Sequence, residues 1–169
     1  FSELALLITS LSSDKEQLES ETILLSKLIE NNIERYYPNI QEKNIQLEII
    51  GDANVPIFGD VKLLDKSFSI IFDNGIKFTK TCGIFTIIIS HANEYISIKF
   101  RDDGTGFTAE QLTNIFEPFN ITDVNHHKQG FGISLNALKI IIEAHEGKVM
   151  IGNNIDSNGA TVELLLKKT

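Results

Sequence analysis

The chain has 169 residues, of which 42% are hydrophobic and 22% charged, with a formal net charge of −8. This size and balance predict one globular domain with at most a short appendage. The acidic balance argues against a nucleic-acid binder. The single cysteine, Cys82, excludes an internal disulfide and fits the reducing cytoplasm. No apolar run of the sequence reaches the roughly 20 residues that a membrane span needs.

Helical spacing dominates the first part of the chain. Apolar residues recur at intervals of three and four over Leu4–Leu11, which predicts the tail of a helix. A second helix is expected over Thr22–Tyr36, and Pro38 is expected to stop it. Alternating residues predict a strand over Ile45–Ile50. A third helix is expected over Asp60–Lys77, with the side chain of its first residue as the N-cap.

The second part alternates between strand and helix patterns. A polar, irregular segment over Phe119–Gln129 predicts a mobile loop. Helices interleaved with strands that are mostly linked by hairpins predict an α+β fold, a two-layer sandwich with helices packed on one face of a mixed sheet. The elements expected around this loop are Ile84–Ser90, Tyr95–Asp102, Lys148–Gly152 and Thr161–Leu166 as strands, and Thr108–Ile115 and Phe131–His145 as helices.

Four short motifs follow one another along this second part. They are Asn74–Thr79 (NGIKFT), Asp102–Phe107 (DDGTGF), Ile115–Phe119 (IFEPF) and Gly130–Ile133 (GFGI). In that order they resemble the N, G1, F and G2 boxes of the ATP-binding catalytic domain of sensor histidine kinases. That family belongs to the gyrase, Hsp90, histidine kinase and MutL group of ATPases. The resemblance covers almost the whole chain and implies the Bergerat-type ATP-binding fold.

The resemblance also divides the chain into two parts. Residues 1–20 resemble a remnant of the dimerisation and phosphoacceptor helix with its linker, and residues 21–169 resemble the catalytic ATP-binding domain. The chain opens on Phe1 rather than methionine, so we expect a fragment of a longer protein. No histidine precedes His91. The phosphoacceptor histidine is therefore expected outside this sequence, and no catalytic residue is expected within it.

Asp102 is the candidate for reading the adenine base. Strand alternation places it on the same face as the apolar Ile98 and Phe100, so it points inward, where a buried carboxylate needs a hydrogen-bond donor. The exocyclic amine of adenine is such a donor, and the resemblance implies this contact. Gly104 and Gly106 let the backbone turn and approach the base closely. Taken alone, this motif is more typical of a polar turn without a ligand, and the other three motifs favour the ligand.

Three residues near the end of the third helix form the second candidate group. Asn74, Lys77 and Phe78 are spaced to share a helical face. The resemblance implies that Asn74 holds Mg²⁺, that Lys77 contacts a phosphate and that Phe78 stacks on adenine. The alternative is structural, with Asn74 ending the helix, Lys77 solvated and Phe78 in the core.

The remaining candidates surround the phosphates and the loop. Glycines before a helix present free backbone amides to anions. The resemblance implies further ATP contacts around the loop, in the G2 box and in the last glycine box, and these residues are Phe116, Lys128, Gly130, Phe131, Gly132 and Thr161.

Two positions depart from the family pattern. Ile70 stands where the N box has another asparagine, and one helical turn from Asn74 it is expected to face the pocket. An apolar group there cannot orient Mg²⁺ or a water molecule, so hydrolysis of ATP by water is not expected. Lys128 stands where the G2 box has its first glycine, which stiffens or reshapes the loop.

The expected function is that of the ATP-binding catalytic domain of a two-component sensor histidine kinase. It would deliver the γ-phosphoryl group of ATP, with Mg²⁺, to a histidine on dimerisation helices of the same protein, for relay to the receiver domain of a response regulator. The intact protein is expected to be a homodimer with this domain in the cytoplasm, whether or not the parent has a membrane anchor, and no nucleic-acid partner is expected. Two alternatives stay open: a nucleotide-sensing pseudokinase, which Ile70 favours, and an anti-sigma-type serine kinase.

Overall fold

The computed structural model describes residues 18–116 and 131–169, with only the backbone path over 131–134. Within these residues, no helix is long and apolar enough to cross a membrane. The elements in chain order are β1 (Ser20–Leu24), α1 (Leu25–Glu42), β2 (Gln46–Ile50), β3 (Pro56–Asp60), α2 (Val61–Phe78), β4 (Ile84–Ala92), β5 (Tyr95–Arg101), α3 (Ala109–Thr113), α4 (Phe131–Ala144), β6 (Lys148–Asn153) and β7 (Ala160–Lys167).

The strands form a mixed five-stranded sheet and a separate two-stranded ribbon. The sheet has the order β2-β4-β5-β7-β6, in which β2 and β4 run parallel and every other neighbouring pair runs antiparallel. The ribbon pairs β1 with β3 antiparallel. Helices α1, α2 and α4 share the buried side of the sheet with one continuous hydrophobic core. The predicted α+β sandwich is therefore confirmed.

Four phenylalanines fix α2 over the middle of the sheet. Phe68 meets Phe100 edge to face with 5.6 Å between ring centroids, and Phe72 meets Phe85 in the same way at 5.7 Å. Edge-to-face aromatic pairs stabilise a core beyond the area that they bury. Because two side chains of α2 are locked to two strands, the last turn of the helix lies beside the residues that follow β5.

The prediction for the first helix of the domain is wrong at both ends. Residues Ser20–Leu24 form a strand instead of a helix start, and α1 continues through Pro38 to Glu42. A proline inside a helix removes one backbone hydrogen bond and costs about 3 kcal/mol. The turn beyond it persists because Ile40 is buried in the core. Strand β3 was not expected either, since each strand of this short ribbon exists only with the other as its partner.

The first residue of the third predicted helix is a cap, as expected. The Asp60 carboxylate accepts a hydrogen bond from the backbone N–H of Leu63 at 3.2 Å. The backbone N–H of Asp60 itself donates to Nε2 of His145 at 3.0 Å, and the other ring nitrogen of His145 lies 2.8 Å from the Ile141 carbonyl oxygen. Nε2 must accept, so Nδ1 carries the proton and donates. His145 therefore ties the end of α4 to the beginning of α2.

Candidate functional site

A small cavity lies where the end of α2 meets β5, β7 and the turn after β5. Its free volume is about 30 Å³, and the polar side chains in its described lining are Asn74 and Asp102. The rest of the wall is apolar and includes the rings of Phe78 and Phe107. Such a volume holds about two water molecules.

Asp102 lies at the end of β5 with its carboxylate in this cavity. Its Oδ1 accepts hydrogen bonds from the backbone N–H groups of Gly104, at 2.9 Å, and Ala160, at 3.2 Å. Within residues 18–116 and 131–169, its other oxygen accepts no hydrogen bond. Burial raises the pKa of Asp102 above 3.8, even though these two backbone hydrogen bonds lower it. A partly buried carboxylate with one oxygen held and the other open is suited to bind a ligand that donates a hydrogen bond.

The turn after β5 is held in place by contacts that the sequence did not reveal. A Cβ atom on Gly104 would lie 2.2 Å from the carbonyl oxygen of Phe78, so only glycine lets the turn pack on the end of α2. The side-chain amide of Asn153 donates to the carbonyl of Phe107 at 2.8 Å and accepts from its N–H at 2.7 Å. Asn154 donates to the backbone carbonyl of Asp102 at 2.9 Å. These two asparagines are far from the motif in sequence, so no local pattern points to them.

The residues predicted on α2 separate into two groups. Asn74 and Phe78 line the cavity, whereas Lys77 is exposed and borders the groove between α1 and α2 together with Asp73. Nδ2 of Asn74 is buried and has no hydrogen-bond partner in the described part of the chain. A buried amide without a partner is costly, which points to a polar group that a ligand brings.

The side-chain amide of Asn74 also shows whether the site suits Mg²⁺. Oxygen and nitrogen of an asparagine amide are assigned from their surroundings, so an unpaired amide offers its oxygen equally well after a flip. Mg²⁺ takes few protein oxygens and completes its shell with phosphates and water. The described residues hold no cluster of three or more His, Cys, Asp or Glu side chains suited to a metal ion. Asn74 beside a nucleotide phosphate fits the ion.

Ile70, which is expected to face the nucleotide pocket, does not line this cavity. Ile70 is 7% exposed and packs in the hydrophobic core, while Ile71 lies in the cavity wall. Positions i, i+3 and i+7 of a helix share one stripe, and here that stripe is Ile71, Asn74 and Phe78.

The other predicted residues are placed as follows. Gly106 has φ of 76°, a left-handed backbone that suits glycine. Phe116 packs against the core with the Lys139 ammonium 5.0 Å from its ring centroid. The hydroxyl of Thr161 donates to the side-chain oxygen of Asn154, and Thr161 is not part of the lining of this cavity. Helix α4 begins at Phe131, so Gly132 lies in its first turn. Lys128 and Gly130 lie outside the described residues.

Comparisons with known proteins agree with this geometry. The family described as histidine kinase-, DNA gyrase B- and HSP90-like ATPase matches residues 59–169. The heme sensor protein HssS of Staphylococcus saprophyticus is 29% identical over 97% of this chain and 35% of its own length. The adaptive-response sensory kinase SasA of Microcystis aeruginosa is 26% identical over 88% of this chain and 39% of its own length. The chain therefore spans little more than a third of these relatives.

Solved structures share the fold. The histidine kinase AdeS of Acinetobacter baumannii has a TM-score of 0.80 at 16% identity, covering 99% of this chain and 77% of that one. The nucleotide-free catalytic domain of the histidine kinase ThkA has a TM-score of 0.79 at 22% identity, covering 89% of this chain and 97% of that one. Full-length ShkA in complex with AMPPNP has a TM-score of 0.79 at 21% identity, covering 98% of this chain and 35% of that one. The predicted Bergerat-type fold is confirmed.

Proposed function

Because the chain belongs to the histidine kinase-, DNA gyrase B- and HSP90-like ATPase family, we propose that the cavity beside Asp102 binds the adenine of ATP. The observation that carries the proposal is the partly buried carboxylate of Asp102, held at one oxygen by Gly104 and Ala160. The exocyclic amine of adenine donates to the other oxygen. Gly104 and Gly106 shape the turn beside the base, and the ring of Phe78, in the cavity wall, stacks on it.

The phosphates extend from the base toward α2 and the beginning of α4. Asn74 holds Mg²⁺, because its buried amide has no partner among the described residues. The ion, when bound, supplies positive charge that neutralises the phosphate oxygens. Lys77 contacts a phosphate from the exposed side of α2. Lys128 and the backbone amides of Gly130, Phe131 and Gly132 contact the others, since a helix N-terminus favours an anion.

The reaction that this arrangement serves is phosphoryl transfer within a sensor histidine kinase. The bond from the γ-phosphorus to the oxygen of ADP breaks, and a phosphorus–nitrogen bond forms to a histidine on dimerisation helices of the same homodimeric protein. Residues 1–20 are the remnant of those helices with the linker, and residues 21–169 form the catalytic domain, on the cytoplasmic side. The phosphoryl group then passes to the receiver domain of a response regulator. Catalysis here consists of positioning and charge neutralisation.

Neither alternative is favoured. The pseudokinase rests on Ile70, and Ile70 does not line the cavity beside Asp102. The relatives carry the names of sensor kinases, which also disfavours the anti-sigma-type serine kinase.

Calorimetric titration with AMPPNP, with and without Mg²⁺, tests the binding proposal. Asp102→Asn should weaken binding roughly 100-fold, because it removes a charged hydrogen-bond acceptor. The matched control is Asp156→Asn, which removes a carboxylate paired with Arg101 on the exposed surface. Absence of binding by the unaltered chain at millimolar AMPPNP would refute the proposal.

A second experiment tests the transfer step. The full-length protein should take up label from γ-labelled ATP in an acid-labile bond, whereas an acid-stable bond would indicate a serine kinase.

A further inference from the structure

Lys43, the residue that directly follows α1, fastens the far end of α2. Its ammonium donates to the backbone carbonyls of Ile76 and Lys77, each at 2.9 Å, and to that of Thr79. An ammonium has three donors, and all three are used on one stretch of backbone. The last carbonyls of a helix have no partner within the helix and carry its negative end, so a cation there is stabilising.

The helix end that Lys43 holds is also the support of the turn after β5. Lys43 bonds carbonyls on both sides of Phe78, and the carbonyl of Phe78 itself packs against Gly104, where a Cβ atom would be 2.2 Å away. Lys43 therefore fixes one side of a backbone stretch whose other side carries the turn. A shift of this stretch moves Asn74 and Asp102 relative to each other.

The loop between α2 and β4 is held by Lys43 on one side and by the turn after β5 on the other. The backbone carbonyl of Lys43 accepts from the N–H of Cys82 at 2.8 Å. The carboxylate of Asp103 accepts from the N–H groups of Lys80, at 3.0 Å, and Ile84, at 2.9 Å. Asp103 is the direct neighbour in sequence of the carboxylate that faces the cavity. Lys43 and the turn after β5 are thus joined through one short loop.

We propose that Lys43 is a positioning residue for the nucleotide, which holds the end of α2 so that Asn74, Phe78 and Asp102 face one ligand together. The inference rests on the proposed ATP site, and Lys43 itself does not line the cavity. The positive charge of Lys43 also favours the ionised carboxylate of Asp102. The pKa of Asp102 is raised chiefly by burial, and the nearby ammonium of Lys43 partly opposes that rise.

The test compares Lys43→Met and Lys43→Gln with Lys43→Arg, which keeps the charge and several donors. The matched control is Arg35→Met, which removes another link between α1 and α2, the Arg35–Asp65 ion pair at 2.8 Å, far from the cavity. Two quantities are measured for each variant. One is the affinity for AMPPNP, and the other is the set of backbone amide NMR shifts of Gly104 and Ala160 without any nucleotide.

Lys43→Met should weaken AMPPNP binding by about tenfold, which is usual for a residue that orients a binding group without touching the ligand. It should also shift the Gly104 and Ala160 amides in the nucleotide-free protein, and Lys43→Arg should restore most of both. If Lys43→Met does not fold, Lys43→Gln carries the same expectations with smaller changes.

Unchanged amide shifts and affinity, or changes no larger than those of Arg35→Met, would overturn the inference and leave the ATP site standing. Failure of the unaltered chain to bind AMPPNP would overturn both.

Discussion

The two polar ends of the cavity differ in how completely their groups are paired. At the Asp102 end, the carboxylate accepts two backbone hydrogen bonds, and the side chain of Asn154 donates to the Asp102 carbonyl. At the Asn74 end, a buried amide has no partner in the part of the chain that the structure describes. At one end the protein holds one oxygen of the acceptor in place, and at the other no described group pairs with the side-chain nitrogen.

The difference indicates that the two ends of the cavity have different functions in nucleotide binding. An acceptor that the backbone already holds at one oxygen selects the base, because a preorganised group loses little freedom on binding. An unpaired amide is a cost that the protein carries until a ligand relieves it. The base end should therefore decide which nucleotide binds, and the Asn74 end should decide whether Mg²⁺ strengthens binding.

The largest expected effect comes from breaking the support of the base end. Gly104→Ala places a Cβ atom 2.2 Å from the Phe78 carbonyl oxygen, and such overpacking should lower the free energy of unfolding by about 3 kcal/mol and abolish AMPPNP binding. Gly152→Ala is the matched control, because nothing lies within 4 Å of its Cβ position. Urea unfolding and calorimetry measure both variants. If both alanines had equal, small effects, the turn would not depend on the end of α2.

A change at the other end should separate stability from binding. Asn74→Leu removes the unpaired amide, so the free energy of unfolding should stay the same or rise by about 1 kcal/mol, while Mg²⁺ no longer improves AMPPNP affinity. Ser67→Ala is the control, since Ser67 also has a buried hydroxyl without a partner among the described residues and lies outside the cavity wall. It should leave the affinity unchanged. A large loss of stability in Asn74→Leu would contradict this account.

The smallest expected effect is that the stability and the AMPPNP affinity depend on pH through Asp102. Burial raises the pKa of Asp102 above 3.8, so folding favours its protonated form. The free energy of unfolding should therefore fall as the pH rises from 3.8 to the pKa that Asp102 has in the folded protein. A donor from adenine favours the carboxylate, so AMPPNP affinity should rise with pH over the same window, with release of protons. Titrations in buffers with different heats of ionisation measure that release, which Asp102→Asn should abolish.

Much of the fold was predictable because its signals are local. The cap of α3 joins Thr108 to Gln111 three residues later, as its sequence predicts. The left-handed backbone of Asn93, with φ of 57°, makes the turn expected between β4 and β5. The ribbon of β1 and β3 and the passage of α1 through Pro38 depend on partners distant in sequence. No window of a few residues contains them.

The site divides in the same way. Asp102, Asn74 and Phe78 were predictable, because each stands in a motif that one strand end or one helix face presents. Asn153 and Lys43 were not, since each acts on backbone atoms of a remote segment, which leaves no constraint on the neighbouring sequence.

The most direct test follows the NMR signals of the two ends while ligands are added in steps. Adenosine alone should shift the backbone amides of Gly104 and Ala160 and leave the side-chain amide of Asn74 unchanged. AMPPNP with Mg²⁺ should then shift the Asn74 amide as well. A protein in which adenosine leaves Gly104 and Ala160 unchanged, or in which the Asn74 amide never responds to AMPPNP with Mg²⁺, would contradict the division between a preformed base end and a ligand-completed phosphate end.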